Sequence, residues 1–194
     1  MRALPKLLLA LTCLTPALGL TTGCGEPKAD IANKQHYSGH HLNFDYPGNW
    51  KTSEESEGLG GTLTMTMIYV EAKGGNAMVI VQHFNEGLEV DYDELVSEFV
   101  NGMREAMPGI VNIQELDGGQ REPIEREIDG KTREGRRIRY APEIFGESVP
   151  HTVEAYFMEF EGEMVILYTQ VPDEDRSKAE PGFNLILDSL TLGE

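Results

Sequence analysis

His41-Leu-Asn-Phe-Asp-Tyr-Pro-Gly-Asn-Trp50 is the stretch from which the fold class is read. Leu42, Phe44 and Tyr46 alternate with Asn43 and Asp45, the two-residue period of a strand with one buried face. Pro47-Gly48-Asn49 stops that strand, because proline has no N–H for a ladder while glycine and asparagine accept turn geometry. The single tryptophan, Trp50, follows at once. Beside a half-buried strand its large apolar ring reads as a core anchor rather than a ligand platform.

Toward the C-terminus, Glu54 to Gly61 is polar and glycine-rich and reads as a loop. Thr62 to Glu71 sets Leu63, Met65, Met67 and Tyr69 against threonines, a second half-buried strand. Lys73-Gly-Gly-Asn76 is a turn, and Ala77 to Phe84 is apolar on both parities, as in a central strand covered on both faces. Asp91 to Met107 changes to helical period, with Tyr92, Leu95, Val96, Phe99, Val100, Met103 and Met107 on one stripe. Asp91 and Glu94 suit a capping box at its start, and Pro108-Gly109 ends it. Ile110 to Leu116 is a further strand, Ile124 to Tyr140 a charged hairpin around Asp129-Gly130, and Pro142 to Pro150 a loop. Thr152 to Glu161 and Glu163 to Val171 form a hairpin through Gly162, apolar on both parities and therefore central. Pro181 suits the first turn of a closing helix that carries Phe183, Ile186, Leu187 and Leu190. These elements predict an α+β domain: an antiparallel β-sheet with helices packed on it.

Toward the N-terminus, Arg2 and Lys6 precede the apolar run Leu7 to Leu20, and no acidic residue appears before Glu26. That is the layout of a secretory signal. The run is shorter than the roughly 20 apolar residues of a spanning helix and is interrupted by Pro16. Leu20-Thr-Thr-Gly-Cys24 resembles the lipobox of bacterial lipoproteins, although that family places leucine where Thr21 stands. The resemblance implies cleavage after residue 23 and a lipid on Cys24. It also implies, from Gly25 following the cysteine, the outer membrane of a host that has two. Cys13 leaves with the signal, so no internal disulfide can form. More than one acyl chain gives stable anchoring, at about 0.8 kcal/mol per buried methylene. The expected organisation is a signal peptide over 1–23, the lipidated cysteine and a polar tether over 24–36, and one globular domain over 37–194.

With Arg2 and Lys6 removed, 14 basic against 33 acidic residues leave a formal charge of −19. Such a surface repels nucleic acid and anionic headgroups. The membrane link expected is therefore the lipid.

Phe44-Asp-Tyr-Pro-Gly-Asn-Trp50 and Phe183-Asn-Leu-Ile-Leu-Asp-Ser-Leu-Thr-Leu192, with the strand order between them, resemble the PsbP-like family. The resemblance spans most of Tyr37 to Leu192. It implies an α/β/α sandwich and a role as an adaptor or assembly factor, with no shared active site to carry over. The expected function is a lipid-anchored, non-catalytic binding or assembly module of the cell envelope, with an envelope protein as partner. The alternative is a metal- or small-ligand-binding protein, or an enzyme, on the same fold.

No constellation for chemistry stands out. Gly58-Leu-Gly-Gly61 lacks the strand-to-helix setting of a dinucleotide fingerprint and the Lys-Ser/Thr of a phosphate loop. Gly146-Glu-Ser148 runs into Val149-Pro150 and makes no nucleophile elbow. His36, His40 and His41 lie close in sequence, but His40 and His41, adjacent at the start of a strand, would face opposite ways. At most one could join His36, so no metal or other cofactor is expected. Asp173-Glu-Asp175-Arg-Ser177 imitates half a calcium loop, yet Lys178 stands where glycine is needed. A solvated acidic turn is expected there. Met65 and Met67 suit an adaptable binding surface or, more simply, sheet core.

Arg121 to Tyr140 concentrates Arg121, Arg126, Lys131, Arg133, Arg136, Arg137 and Arg139, half of the 14 basic residues. A two-residue Asp129-Gly130 loop would set Arg126 against Arg133 and Glu125 against Glu134, two destabilising like-charge pairs. A three-residue loop, Asp129-Gly130-Lys131, sets Glu127 against Arg133 and Arg126 against Glu134 instead, and is the register expected. Lys131, Arg133, Arg137 and Arg139 share parity and so one face. They form the candidate surface for an acidic partner, with a solvated, salt-bridged ribbon as the alternative. For the anchor, metabolic labelling with a fatty-acid analogue should mark the wild type and leave Cys24→Ser unmarked; equal labelling of both would refute it.

Overall fold

The computed structural model describes residues 25–106, 110–144 and 146–193. The stretch expected to be a signal, Cys24, Met107 and Pro108-Gly109 lie outside them. The main sheet is built from β3 (Trp50–Gly60), β4 (Leu63–Ala72), β5 (Met78–Phe84), β6 (Ile110–Glu115), β7 (Glu122–Ile128), β8 (Lys131–Ile144), β9 (Glu147–Ser148), β10 (His151–Phe160) and β11 (Glu163–Pro172). Its order is β3-β4-β5-β11-β10-β8-β6, with β7 and β9 also paired to β8. A small second sheet has the order β1 (Gln35–Gly39), β2 (Leu42–Tyr46), β12 (Thr191–Leu192). Every pairing is antiparallel. The helices are α1 (Tyr92–Ala106) and α2 (Arg176–Ser189).

Alternation along the central strands buries both faces of the main sheet. Ile68, Val70, Val79, Val81 and Leu167 meet Phe183, Ile186 and Leu187 of α2 and Leu42, Phe44 and Leu192 of the small sheet. Met67, Tyr69, Ile80, Ile166 and Tyr168 meet Leu95, Val96, Phe99 and Val100 of α1. The result is an antiparallel sheet with helices packed on it, as the residue patterns predict, with α1 on one face and α2 and the small sheet on the other, as the PsbP-like resemblance implies. Met65, Met67 and Trp50 are core residues. Asp91 caps α1, its Oδ1 accepting from the backbone N–H groups of Asp93 (2.8 Å) and Glu94 (3.2 Å).

Four expectations are corrected. The polar stretch after Trp50 is not a loop but most of β3, an edge strand paired only to β4. Its glutamates are the charged side chains that protect exposed edges from further pairing. The closing helix starts at Arg176, not at Pro181, which lies inside it. In the first turns only Ala179 is buried, so Arg176 to Glu180 shows no apolar stripe.

The β7–β8 hairpin takes the two-residue loop, with Arg126 opposite Arg133 and Glu125 opposite Glu134. Asp129 (φ 55°) and Gly130 (φ 65°) both adopt the left-handed conformation that makes Asp-Gly a strong two-residue hairpin turn. The like-charge pair is relieved by a third element: Arg126 turns to α2, where Nη2 donates to Asp188 Oδ1 (2.6 Å) and Nη1 to Asn184 Oδ1 (3.0 Å).

The expected tether is seated on the domain. Glu26 is 3% exposed, and its Oε2 accepts from the backbone N–H groups of Asn76 and Ala77 in the β4–β5 turn. Ala29 N donates to Lys178 O (3.1 Å), Asp30 N to Asn49 Oδ1 (2.9 Å) and Gly48 N to Asp30 O (3.0 Å). Among the described residues no helix is long and apolar enough to cross a membrane.

The seam between α2 and the sheet generates a sharp test. A Cβ at Gly182 would stand 2.8 Å from Trp50 Cζ2 and 2.9 Å from Pro47 Cγ. Gly182→Ala gains about 1 kcal/mol of helix propensity but overpacks the seam at a cost of about 1–3 kcal/mol. Urea denaturation should report a net loss of about 1 kcal/mol; a gain in stability would show that the seam has room.

Candidate functional site

Two groups of ionisable side chains converge in the structure. The first is the arginine ladder on β8. Arg137 and Arg139 lie directly across from Glu154 and Thr152 of β10. Arg137 Nε and Nη2 donate to Glu154 Oε1 at 3.0 and 2.9 Å, and its Nη1 reaches Glu122 Oε2 of β7 at 3.1 Å. Arg176, at the start of α2, adds a third donor to Glu154 Oε1 at 2.7 Å. Arg139 bridges Asp117 Oδ2 (3.1 Å) and Asp173 Oδ2 (2.8 Å), and Thr152 Oγ1 donates to Asp173 Oδ1 (2.6 Å).

Of the candidate partner residues Lys131, Arg133, Arg137 and Arg139, not all stand free of the rest of the chain. Arg137 and Arg139 are held by internal carboxylates, Arg133 is buried, and Lys131 is exposed at the hairpin tip. The physical reason is Glu154. A carboxylate buried in a central strand needs compensating donors, and the neighbouring strand supplies them. Asp173 to Asp175 is likewise no solvated turn, since Asp175 is buried and accepts from Lys178 Nζ at 2.8 Å.

The second group is a histidine–glutamate clasp between the two sheets. Gly39 pairs with Leu42, so His40 and His41 are the two-residue loop of the β1–β2 hairpin and not part of a strand. Both are left-handed, with φ of 51° and 56°, which costs a non-glycine residue about 1–2 kcal/mol. The alternation that would have sent their rings apart therefore does not apply. His41 Nδ1 lies 3.1 Å and His83 Nε2 2.9 Å from the same oxygen, Glu163 Oε2, while His40 Nε2 lies 3.1 Å from Glu54 Oε2. The His40 and His83 rings are 5.9 Å apart. His36 stays outside, bonded to Asp45 at 2.9 Å.

Burial raises the Glu163 carboxyl, but hydrogen bonds from His83 and His41 more than offset it and leave it below the usual carboxylate range. The clasp thus holds an ionised carboxylate between two imidazoles and ties the hairpin to β5 and β11. Among the described residues no group of three histidine, cysteine or acidic side chains is arranged to hold a metal ion.

His83, Glu163 and Glu154 were not singled out from sequence. The available signal was polarity in central strands: Gln82-His83 in an apolar run, and Glu154 between Val153 and Ala155. The ladder also predicts a stability effect. Arg137→Ala removes two bonds to Glu154, which Arg176 still compensates, and should cost about 1–2 kcal/mol in urea denaturation. Lys131→Ala, at an exposed site, should stay within about 0.5 kcal/mol of wild type. Equal stability of both variants with wild type would show the ladder to be solvated.

The chain matches no family model and no curated protein. Its fold is similar to solved structures at low sequence identity. Cyanobacterial PsbP (CyanoP) from Synechocystis is 13% identical, with 91% of this chain and 99% of that chain covered and a TM-score of 0.51. LpqN, involved in cell envelope biogenesis of Mycobacterium tuberculosis, is 14% identical over 87% of this chain and 99% of that chain, with a TM-score of 0.41. A protein from Bacteroides thetaiotaomicron is 11% identical over 87% of this chain and 49% of that chain, with a TM-score of 0.46. The expected architecture is the observed one, and the domain has the PsbP-like fold.

Proposed function

We propose that this chain is a lipid-anchored, non-catalytic binding or assembly module of the cell envelope, exported by its N-terminal signal and held at the membrane through Cys24. The observation that carries this reading is Leu20-Thr-Thr-Gly-Cys24, placed directly ahead of a folded PsbP-like domain. The state of the ionisable groups supports it. General acid–base work needs a group free to exchange a proton with a substrate, whereas Glu154 is held by Arg137 and Arg176, Asp173 by Arg139, and Glu163 by His83 and His41. With Arg121, Arg126, Arg136, Arg137, Arg139 and Arg176 matched internally and Arg133 buried, the surface left over is acidic, which favours a basic partner.

Crosslinking in the native host, followed by mass spectrometry of what is captured, tests this. The wild type should capture an envelope protein through contacts that weaken at high salt, and Cys24→Ser should lose it. Stoichiometric zinc or manganese retention that disappears in His83→Ala would instead favour the ligand-binding alternative.

A further inference from the structure

Among the described residues the large apolar side chain left mostly exposed is Ile31, at 49%. It lies in the segment that leads back to Cys24, and that segment has no slack. Glu26 is buried against the β4–β5 turn, and Ala29 and Asp30 are bonded to Lys178 and Asn49. The chain therefore leaves the domain at a fixed point, where a Cβ on Gly25 would stand 2.9 Å from Lys178 Nζ.

Six lysines follow Cys24, and five of them gather around this point: Lys28, Lys34, Lys51, Lys73 and Lys178. Asn49 joins two, its Nδ2 donating to Lys28 O (3.1 Å) and its carbonyl accepting from Lys73 N (3.0 Å). Lys51 begins β3 beside Trp50, and Lys34 closes the seated segment. Lys34, Lys51 and Lys178 pair with Asp45, Glu71 and Asp175. Lys28 and Lys73 are exposed and make no ion pair among the described residues. An acidic chain has thus placed two of its three unpaired lysines, and one exposed isoleucine, where it emerges toward the expected anchor; the third, Lys131, stands at the β7–β8 hairpin tip.

We propose that this end of the domain is its bilayer-facing surface. Ile31 enters the interfacial layer, and Lys28 and Lys73 lie against anionic headgroups. The opposite end, with the β3–β4 turn and the histidine–glutamate clasp, points away. The proposal rests on the lipid-anchor reading, because Cys24 is what would hold this end at the surface. One Cα–Cα step is about 3.8 Å, while a domain of this size is roughly 40 Å across. A lipid one residue before a pinned segment leaves the domain no length with which to turn over. Lysine attraction to an anionic leaflet acts within a Debye length, about 8–10 Å, so it selects this end against the acidic remainder.

The test uses lipoprotein purified from its membrane, with Ile31→Cys or Glu57→Cys carrying an environment-sensitive fluorophore. Each is reconstituted into phosphatidylcholine–phosphatidylglycerol vesicles with brominated acyl chains. Intact mass, measured first, reports whether Cys24 carries lipid. The label at position 31 should be quenched and the label at 57 should not, and Lys28→Glu with Lys73→Glu should weaken the quenching at 31. Unquenched labels at both positions in protein whose mass includes the lipid overturn the proposal and leave the anchor intact. A mass without lipid overturns the anchor reading itself.

Discussion

The structure depends on the seam that Trp50 fills. Its indole, fully buried, meets Phe183 edge-on at 5.7 Å between ring centroids and has Gly182 and Pro47 against it. One side chain thereby joins the end of the small sheet, the start of β3 and the middle of α2. Burying so large a ring is worth several kcal/mol when its surroundings are close-packed. Gly182 is what permits that packing, since any larger residue would push α2 off the sheet. With α2 fixed, Ser189 at its end reaches Asp45, its Oγ accepting from the Asp45 N–H at 2.8 Å. β12 then pairs with β2, and the chain closes the small sheet over the face that holds the clasp.

A second constraint is charge. With 33 acidic residues against 16 basic ones, every buried or half-buried carboxylate competes for few cations. The fold concentrates arginines where carboxylates are least hydrated. Glu154 takes three guanidinium bonds from two residues, and Arg139 holds Asp117 and Asp173 together. The planar guanidinium suits this work because its fixed fork offers several donors at once. Lysines, with compact and strongly hydrated charges, are left mostly at one end of the surface.

How much of this was legible in the sequence follows from how each element is buried. β2, β4, β5, β10 and β11 were readable because a covered face writes a period of two, or an apolar run, into the sequence. α1 was readable from its stripe and cap. β3 was not, because an edge strand of glutamate and serine carries the composition of a loop. β1 buries only Tyr37, too little to set a period. The start of α2 was hidden because Asp175 and Ala179 bury against Glu26, Lys178 and the seam rather than forming a stripe. The hairpin register failed for a different reason. Cross-strand charge pairing would favour the longer loop in an isolated hairpin, but Asp188 and Asn184 of α2, far along the chain, take up Arg126 and leave the turn geometry to set the register. The candidate arginines were visible as a cluster, but their partners were not, since pairing depends on which strand lies beside β8.

The clasp is the part least legible and most dependent on tertiary structure. His40 and His41 accept left-handed backbone at a cost that no local interaction repays, and the carboxylates they meet are Glu54 and Glu163, the second of them 122 residues beyond His41. The hairpin conformation therefore exists only when β1 and β2 are seated on the main sheet. The same dependence holds at the opposite end, where Glu26 is satisfied only by the β4–β5 turn. The segment from Glu26 to His41 is thus fixed at both ends by carboxylate bonds to groups elsewhere in the chain. What began as a stretch of polar chain followed by one alternating strand behaves as a strap across the sheet, and a force applied through its N-terminal end would be transmitted to the domain through Glu26 first.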